Sequence, residues 1–298
     1  MEINDTRKEV VRLPSMWKLI RQELWKDKFA LACLLILLGI TIAAFIVGNM
    51  VDEDYASRLH ILRRDLPPGG GNGILGTDNG GRDMLRILLL STRNSLAIAF
   101  VVAPVTLTIG FTVGLLIGYY GGYVDLVVLR IIDFFVMVPT IMVIIVMSIV
   151  LPAWDTRAFI LTMIGVGWFA GARLLRARVL QESAKDYVSA SKTLGSTNTA
   201  IIFKKVLPNV ASIMVVQVIF GLAGSIGMET GLTVIGYGLQ FGVHSIGRLV
   251  ALALNPVVLQ DRPWQWVPAV TVVVTVTICL YGVGNAVSRA INPRQRRQ

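Results

Sequence analysis

Of 298 residues, 54% are hydrophobic and 15% charged, where soluble domains carry about 25% charged residues. So few charges cannot cover the surface of a compact soluble domain, which excludes disorder and a disulfide scaffold and argues against a soluble enzyme. The net charge of +10 would suit nucleic acid, but its distribution along the chain assigns it to another partner.

Residues 1–28 form a basic lead-in. Within it, Val10–Lys28 sets Leu13, Trp17, Leu24 and Trp25 among Arg12, Lys18, Arg21, Lys26 and Lys28. That pattern predicts an amphipathic helix on a membrane surface; the plainer reading is a solvated lead-in. It does not read as a cleavable signal peptide, because a long polar stretch precedes the first apolar run and no small-residue cleavage site follows closely.

A bilayer core needs roughly 20 apolar residues in a helix. The first span is Phe29–Val51, the segment 29–51. Residues 52–94 then make an external loop. It contains Gly71-Asn72-Gly73-Ile74-Leu75-Gly76, but Pro67-Pro68-Gly69-Gly70 precedes this run in place of the strand that a dinucleotide site needs. A flexible loop is the better reading. The membrane domain, 95–291, holds five further spans: Ser95–Gly118, Ile131–Leu151, Ala158–Leu175, Val210–Ile235 and Val267–Val287. A basic tail, 292–298, closes the chain. The fold class is all-α: a polytopic membrane protein with six transmembrane helices.

Roughly two-thirds of the 28 Lys and Arg residues fall in segments on the side of the two termini, which places both ends in the cytoplasm. These charges face anionic lipid, so nucleic acid is not needed to explain them. Cys33 and Cys279 sit in apolar runs as buried small hydrophobes. His60 and His244 are too isolated for a metal site, and the Met residues within the spans read as core packing. There is no G-x-x-x-x-G-K-[ST], so any ATP that drives this protein is bound by another chain.

The longest inner segment between spans is 176–209. Leu174–Leu194 has no Gly or Pro and predicts a helix running out of the fourth span. Gly195 stops it, Ser196, Thr197 or Asn198 caps a second helix, and that helix ends before Pro208. Tyr187, Val188, Leu194, Ile201, Ile202 and Phe203 are its apolar knobs. Such a unit either docks into another protein's groove or packs on its own bundle.

Ser189-Ala190-Ser191-x3-Gly195-x11-Leu207-Pro208 resembles the E-A-A-x3-G-x9-I-x-L-P loop of ABC-importer permeases, with Ser189 in place of Glu and Lys205 in place of Ile. Other landmarks follow in order: Leu75-Gly76-Thr77-Asp78-x2-Gly81-Arg82-Asp83, Gly118-Tyr119-Tyr120-Gly121-Gly122, Arg130-x2-Asp133 with Pro139, Glu229-x2-Leu232-x3-Gly236-x-Gly238, Trp264-x3-Pro268 and Asn292-Pro293-Arg294. Over about residues 29–294 the chain resembles the dipeptide/oligopeptide (or nickel) branch, in particular its C-type subunit.

The resemblance implies a type I ABC importer permease in a bacterial or archaeal cell membrane, non-catalytic itself. Its implied partners are a second homologous permease, two ABC ATPases, an external solute-binding protein and a peptide in transit. The ATPases, not this chain, would bind ATP and Mg; no cofactor or metal belongs to this chain. The segment Asp186–Asn209 would couple it to the ATPases through Tyr187, Ala190, Leu194, Gly195, Leu207, Pro208 and Asn209.

Glu229 lies within the fifth span, where a carboxylate is costly. It either faces the pathway or is paired structurally, and the glycines around it predict close packing or a helix break. Arg130 and Asp133, one helical turn apart, are expected to pair, and Asp125 reads as a loop charge. The competing functions are a nickel or metal-chelate import permease, a self-sufficient secondary transporter and a membrane-embedded enzyme. A secondary transporter would show repeated broken helices, and an enzyme would need a paired acid/base or metal constellation in the spans; neither pattern is evident.

Overall fold

The computed structural model describes residues 16–69 and 73–291. Val10–Ser15, residues 70–72 and the tail 292–298 lie outside them. Twelve helical elements carry the fold: α1 (Met16–Lys26), α2 (Lys28–Met50), α3 (Glu53–Ser57), α4 (Met84–Tyr120), α5 (Gly122–Met137), α6 (Thr140–Val150), α7 (Thr156–Ser183), α8 (Asp186–Thr193), α9 (Asn198–Val234), α10 (Ile246–Ala251), α11 (Pro256–Asp261) and α12 (Val267–Ile291). No β-strand occurs among the described residues.

Five helices (α2, α4, α7, α9 and α12) are long and apolar enough to cross a membrane. The remaining span, third in chain order, is the bent pair α5 and α6, which meet at 81°. The span expected over Ile131–Leu151 is therefore corrected: it begins at Gly122 and bends at Pro139. Pro139 lacks an N–H, and its ring forces Val138 into an extended conformation (φ −79°, ψ 124°). The second span also starts earlier than Ser95: Asp83 caps α4 by accepting from the Leu85 N–H at 2.9 Å.

Helix α4 packs against α7 along a row of glycines. A Cβ on Gly110 would stand 2.6 Å from the Trp168 carbonyl oxygen, and one on Gly118 2.9 Å from that of Arg176. On Gly114 it would overlap the Ala172 carbonyl. Small residues at this spacing let two backbones approach closely where lipid supplies no hydrophobic drive.

Helix α5 is clamped to α7 by charge. The Asp125 carboxylate takes a two-pronged bond from Arg176, at 2.5 and 2.6 Å, and Asp125 is buried. It is not the loop charge that the sequence suggested. Nor does Asp133 pair with Arg130: its partner is Arg173 at 3.4 Å. The face of α5 that carries both acids turns toward α7, where Arg173 and Arg176 are one turn apart, and Arg130 is left exposed.

At the loop end of the bundle, Ile20 and Leu24 of α1 pack with Cys33 of α2 and with Cys279, Val283, Val287 and Ala290 of α12. Arg289 of α12 pairs with Glu23 at 3.6 Å and with Asp27. At the opposite end, Asp78 accepts from the Gly80 and Arg82 N–H groups, both at 2.9 Å. The Thr77 carbonyl accepts from the Trp264 indole and the Gln265 amide, both at 3.1 Å. The Leu75–Asp83 motif is thus tied to the start of the sixth span.

Replacing Gly114 with Val forces α4 and α7 apart. Overpacking of this kind costs about 1–3 kcal/mol, so a lower thermal midpoint in detergent is expected for Gly114→Val. An unchanged midpoint would show that the close approach does not matter.

Candidate functional site

The segment between α7 and the fifth span folds as helix, turn and helix, with differences from the sequence expectation. α7 ends at Ser183, and Lys185 is extended (φ −76°, ψ 148°) before α8 begins. The single helix expected over Leu174–Leu194 is therefore two. A network of side chains fixes this break. The Glu182 carboxylate accepts from the Tyr187 hydroxyl at 2.7 Å, the Asn209 amide at 2.9 Å and the Lys185 ammonium at 2.6 Å. Asn209 also donates to the Tyr187 oxygen at 3.0 Å. Burial, reinforced by the bond to the Glu182 carboxylate, holds the Tyr187 hydroxyl above its usual range, so it stays a donor.

Asp186 and Lys192 sit at the two ends of α8 in the order that the helix dipole favours. The helix ends in a Schellman turn: Gly195 N–H bonds to the Lys192 carbonyl at 3.0 Å and Ser196 N–H to that of Ser191 at 3.1 Å. Gly195 has φ +79°, the left-handed region where a side chain is disfavoured. Thr197 then caps α9, its hydroxyl accepting from the Ala200 N–H at 3.3 Å.

The second helix does not end before Pro208. A π-turn over Ile202–Val206 carries the chain into Leu207–Val234. Pro208 lies in the first turn of that segment, where a missing N–H costs least. The second helix of the loop and the fifth span are one continuous helix.

Burial divides the expected knobs. Val188, Ile201 and Ile202, with Val206 and Val210, pack on Phe111, Leu115, Tyr119, Leu175 and Val179 of the bundle. Tyr187 is half-buried in the Glu182 network, and Leu207 packs against the same core. Only Leu194 (85% exposed) and Phe203 (59%) present large apolar side chains outward. Ala190, Gly195, Pro208 and Asn209 are also exposed, and nothing in this chain lies within 4 Å of a Cβ built on Gly195. The Tyr119 hydroxyl bonds to Asn198 at 3.0 Å, and the Lys192 ammonium sits 5.2 Å over the Tyr119 ring. The turn is therefore held from below and bare on top.

Glu229 lies in a different environment. It is fully buried. Its carboxylate accepts from Ser95 of α4 at 2.9 Å and from Thr233 at 3.0 Å. Ser95 in turn accepts from the Ile246 N–H at 3.1 Å. The group thus joins α4, α9 and α10. Helix α9 runs unbroken through Gly224, Gly227 and Gly231, which make no close packing within this chain, and it ends at Val234, just before Gly236 (φ +90°).

Residues 110–297 match the family described as "Binding-protein-dependent transport system inner membrane component". The chain belongs to that family. The oligopeptide transport system permease protein OppC of Lactococcus lactis subsp. lactis (strain IL1403) is 36% identical over 276 residues, covering 93% of this chain and 94% of that one. The dipeptide transport system permease protein DppC of Bacillus subtilis (strain 168) is 31% identical, covering 93% and 86%. A solved structure of the MetNI methionine ABC transporter in inward-facing conformations aligns with a TM-score of 0.57 and 19% identity, over 70% of this chain and 98% of that one. At that identity the likeness is one of fold. This chain is a multi-pass inner-membrane permease.

Sequence reasoning missed Glu182, Lys185 and Ser95 in this permease. Glu182 had one signal, an acid at the end of a span with Asn209 just past the Leu207-Pro208 pair. Ser95 had none, because its role exists only across helices. Replacing Glu229 with Leu leaves the Ser95 and Thr233 hydroxyls without their acceptor, at about 1–3 kcal/mol, whereas Glu229→Gln keeps an acceptor. Thermal unfolding should separate the two variants, with transport retained in the Gln form. Transport lost from a Gln variant of unchanged stability would return Glu229 to the pathway.

Proposed function

We propose that this permease is the C-type membrane subunit of an ATP-driven peptide importer. It forms half of a translocation pathway with a second, homologous permease. Two ABC ATPases beneath it bind ATP and Mg, and an external solute-binding protein delivers the peptide. Both termini face the cytoplasm, as the distribution of Lys and Arg favours. The names of the relatives, oligopeptide and dipeptide permeases, support peptide as the solute.

The observation that carries the coupling role is the bare turn. Leu194, Gly195 and Phe203 stand outward on a base made of Val188, Ile201, Ile202 and Val206. A protruding apolar pair on a rigid support suits insertion into a groove of an ATPase. Because α9 continues into the fifth span, movement of the turn moves a membrane helix directly. At the same end of the bundle, a cleft of about 380 Å³ between α7, α9 and α12 is lined by Arg178, Ser212, Gln217 and Ser288 and by the apolar Ile213, Val216, Phe220 and Ile291. It offers a mixed polar and apolar surface beside that helix.

The left-handed backbone at Gly195 accepts Asp or Asn more readily than other side chains, and the site is open within this chain. Gly195→Asp should therefore insert and fold. A side chain at the centre of the docking surface should nonetheless lower peptide uptake by roughly tenfold or more, the scale of a lost interface hot spot. Uptake and peptide-stimulated ATP hydrolysis in proteoliposomes are the measurements, and normal values for both would sink the coupling assignment.

A further inference from the structure

Helix α1 uses only one of its faces within the described protein. Glu23, Ile20 and Leu24 turn toward α12, where Ile20 and Leu24 join its apolar core and Arg289 pairs with Glu23 and Asp27. The adjoining face carries Trp17, Arg21 and Trp25 at i, i+4 and i+8, with Lys18 beside them. Trp17 is 71% exposed and Trp25 70%. Lys18, Arg21, Lys26 and Lys28 are exposed too, and none has an acidic partner among the described residues. Two large indoles left in water, on a helix already anchored elsewhere, call for an occupant.

The position of α1 decides which occupant. A single residue, Asp27, separates it from α2: Asp27 is extended (φ −88°, ψ 96°) and its carboxylate caps α2 by accepting from the Ala30 N–H at 3.1 Å, so the chain turns between the two helices without a loop. Helix α2 then exposes Phe29, Leu35, Ile36, Leu38 and Ile42, the surface of a span in contact with lipid. The Trp17–Trp25 face therefore sits at the end of a lipid-facing span, at the level where hydrocarbon gives way to headgroups. Indoles prefer that depth, and Lys and Arg there are drawn to anionic headgroups.

We propose that the Trp17–Arg21–Trp25 face of α1, with Lys18 and Lys26, is a binding surface for anionic phospholipid, the indoles entering the headgroup layer and the basic side chains pairing with phosphate. The ion pairs of Arg289 with Glu23 and Asp27 then hold this lipid-bound helix to the end of α12.

The test uses the full permease with its partner subunits in nanodiscs of brominated phosphatidylcholine or brominated phosphatidylglycerol. The fluorescence difference between the wild type and the double variant Trp17→Phe, Trp25→Phe isolates these two indoles. Quenching of that difference signal by brominated phosphatidylglycerol should exceed quenching by brominated phosphatidylcholine by about threefold, and salt should weaken the preference. The triple variant Lys18→Ala, Arg21→Ala, Lys26→Ala leaves Glu23 and Asp27 intact and should quench equally with both lipids. Absence of quenching in either lipid would mean that water or a partner protein covers the face, and would overturn the proposal. Equal quenching of the wild type by both lipids would overturn it as well, leaving a helix that touches lipid without selecting charge.

Discussion

The close approach of α4 and α7 along Gly110, Gly114 and Gly118 is the contact on which the remainder of the bundle rests. In lipid, apolar side chains gain little by touching one another, so two helices must associate through backbone proximity and dispersion. Three absent side chains bring α4 against the Trp168–Arg176 stretch of α7. That proximity assembles Phe111, Leu115 and Tyr119 on one helix with Leu175 and Val179 on the other. The turn around Gly195 is built on this platform. Without it, Val188, Ile201 and Ile202 would have nothing to bury against, and the turn would be a loop without a fixed direction.

Charges in this permease work at the margins of that apolar assembly. Arg176 and Asp125 lock α5 beside α7, and Arg173 and Asp133 repeat the contact further along. Arg289 gathers Glu23 and Asp27 at the end of α12. Each pair joins two helices that also share apolar contacts: Phe135 stacks on Phe169 across α5 and α7, and Ile20 packs with Val283 and Val287 across α1 and α12. The most buried carboxylate, Glu229, is satisfied by hydroxyls instead of a cation, which keeps its oxygens bonded without burying a second charge. The outcome is a set of cross-links at three depths, with Leu194 and Phe203 of the turn left exposed.

The sequence made legible what depends on local chemistry. Runs of apolar residues gave the spans, Gly195 gave the end of α8, and a hydroxyl residue gave the cap of α9. What it hid depends on direction in space. Nothing local distinguishes Asp133 facing Arg173 from Asp133 facing Arg130, since both cations lie within reach in principle. The break after Ser183 has no Gly or Pro: Glu182 and Tyr187 flank it and bond across it, and Asn209 closes the network from the far end of the segment. Pro208 misled in the opposite sense: a proline ordinarily marks a helix boundary, but here a π-turn widens the helix just before it. Half of the expected knobs of the loop turned inward for the same reason, because periodicity identifies a face without saying what lies opposite.

The continuity of α9 has a geometric consequence. From Leu207 to Glu229 an α-helix at 1.5 Å per residue spans about 33 Å. Glu229 fixes one end of that rod, bonded to α4 and adjoining α10, and the turn at the other end rests on Phe111, Leu115, Tyr119, Leu175 and Val179. A rod of this length pivoting through about 5° sweeps that other end through about 3 Å, less than one helical turn. Under the proposed coupling role, the helix acts as a lever: a displacement of about 3 Å at the turn goes with a rotation of the whole span about Glu229.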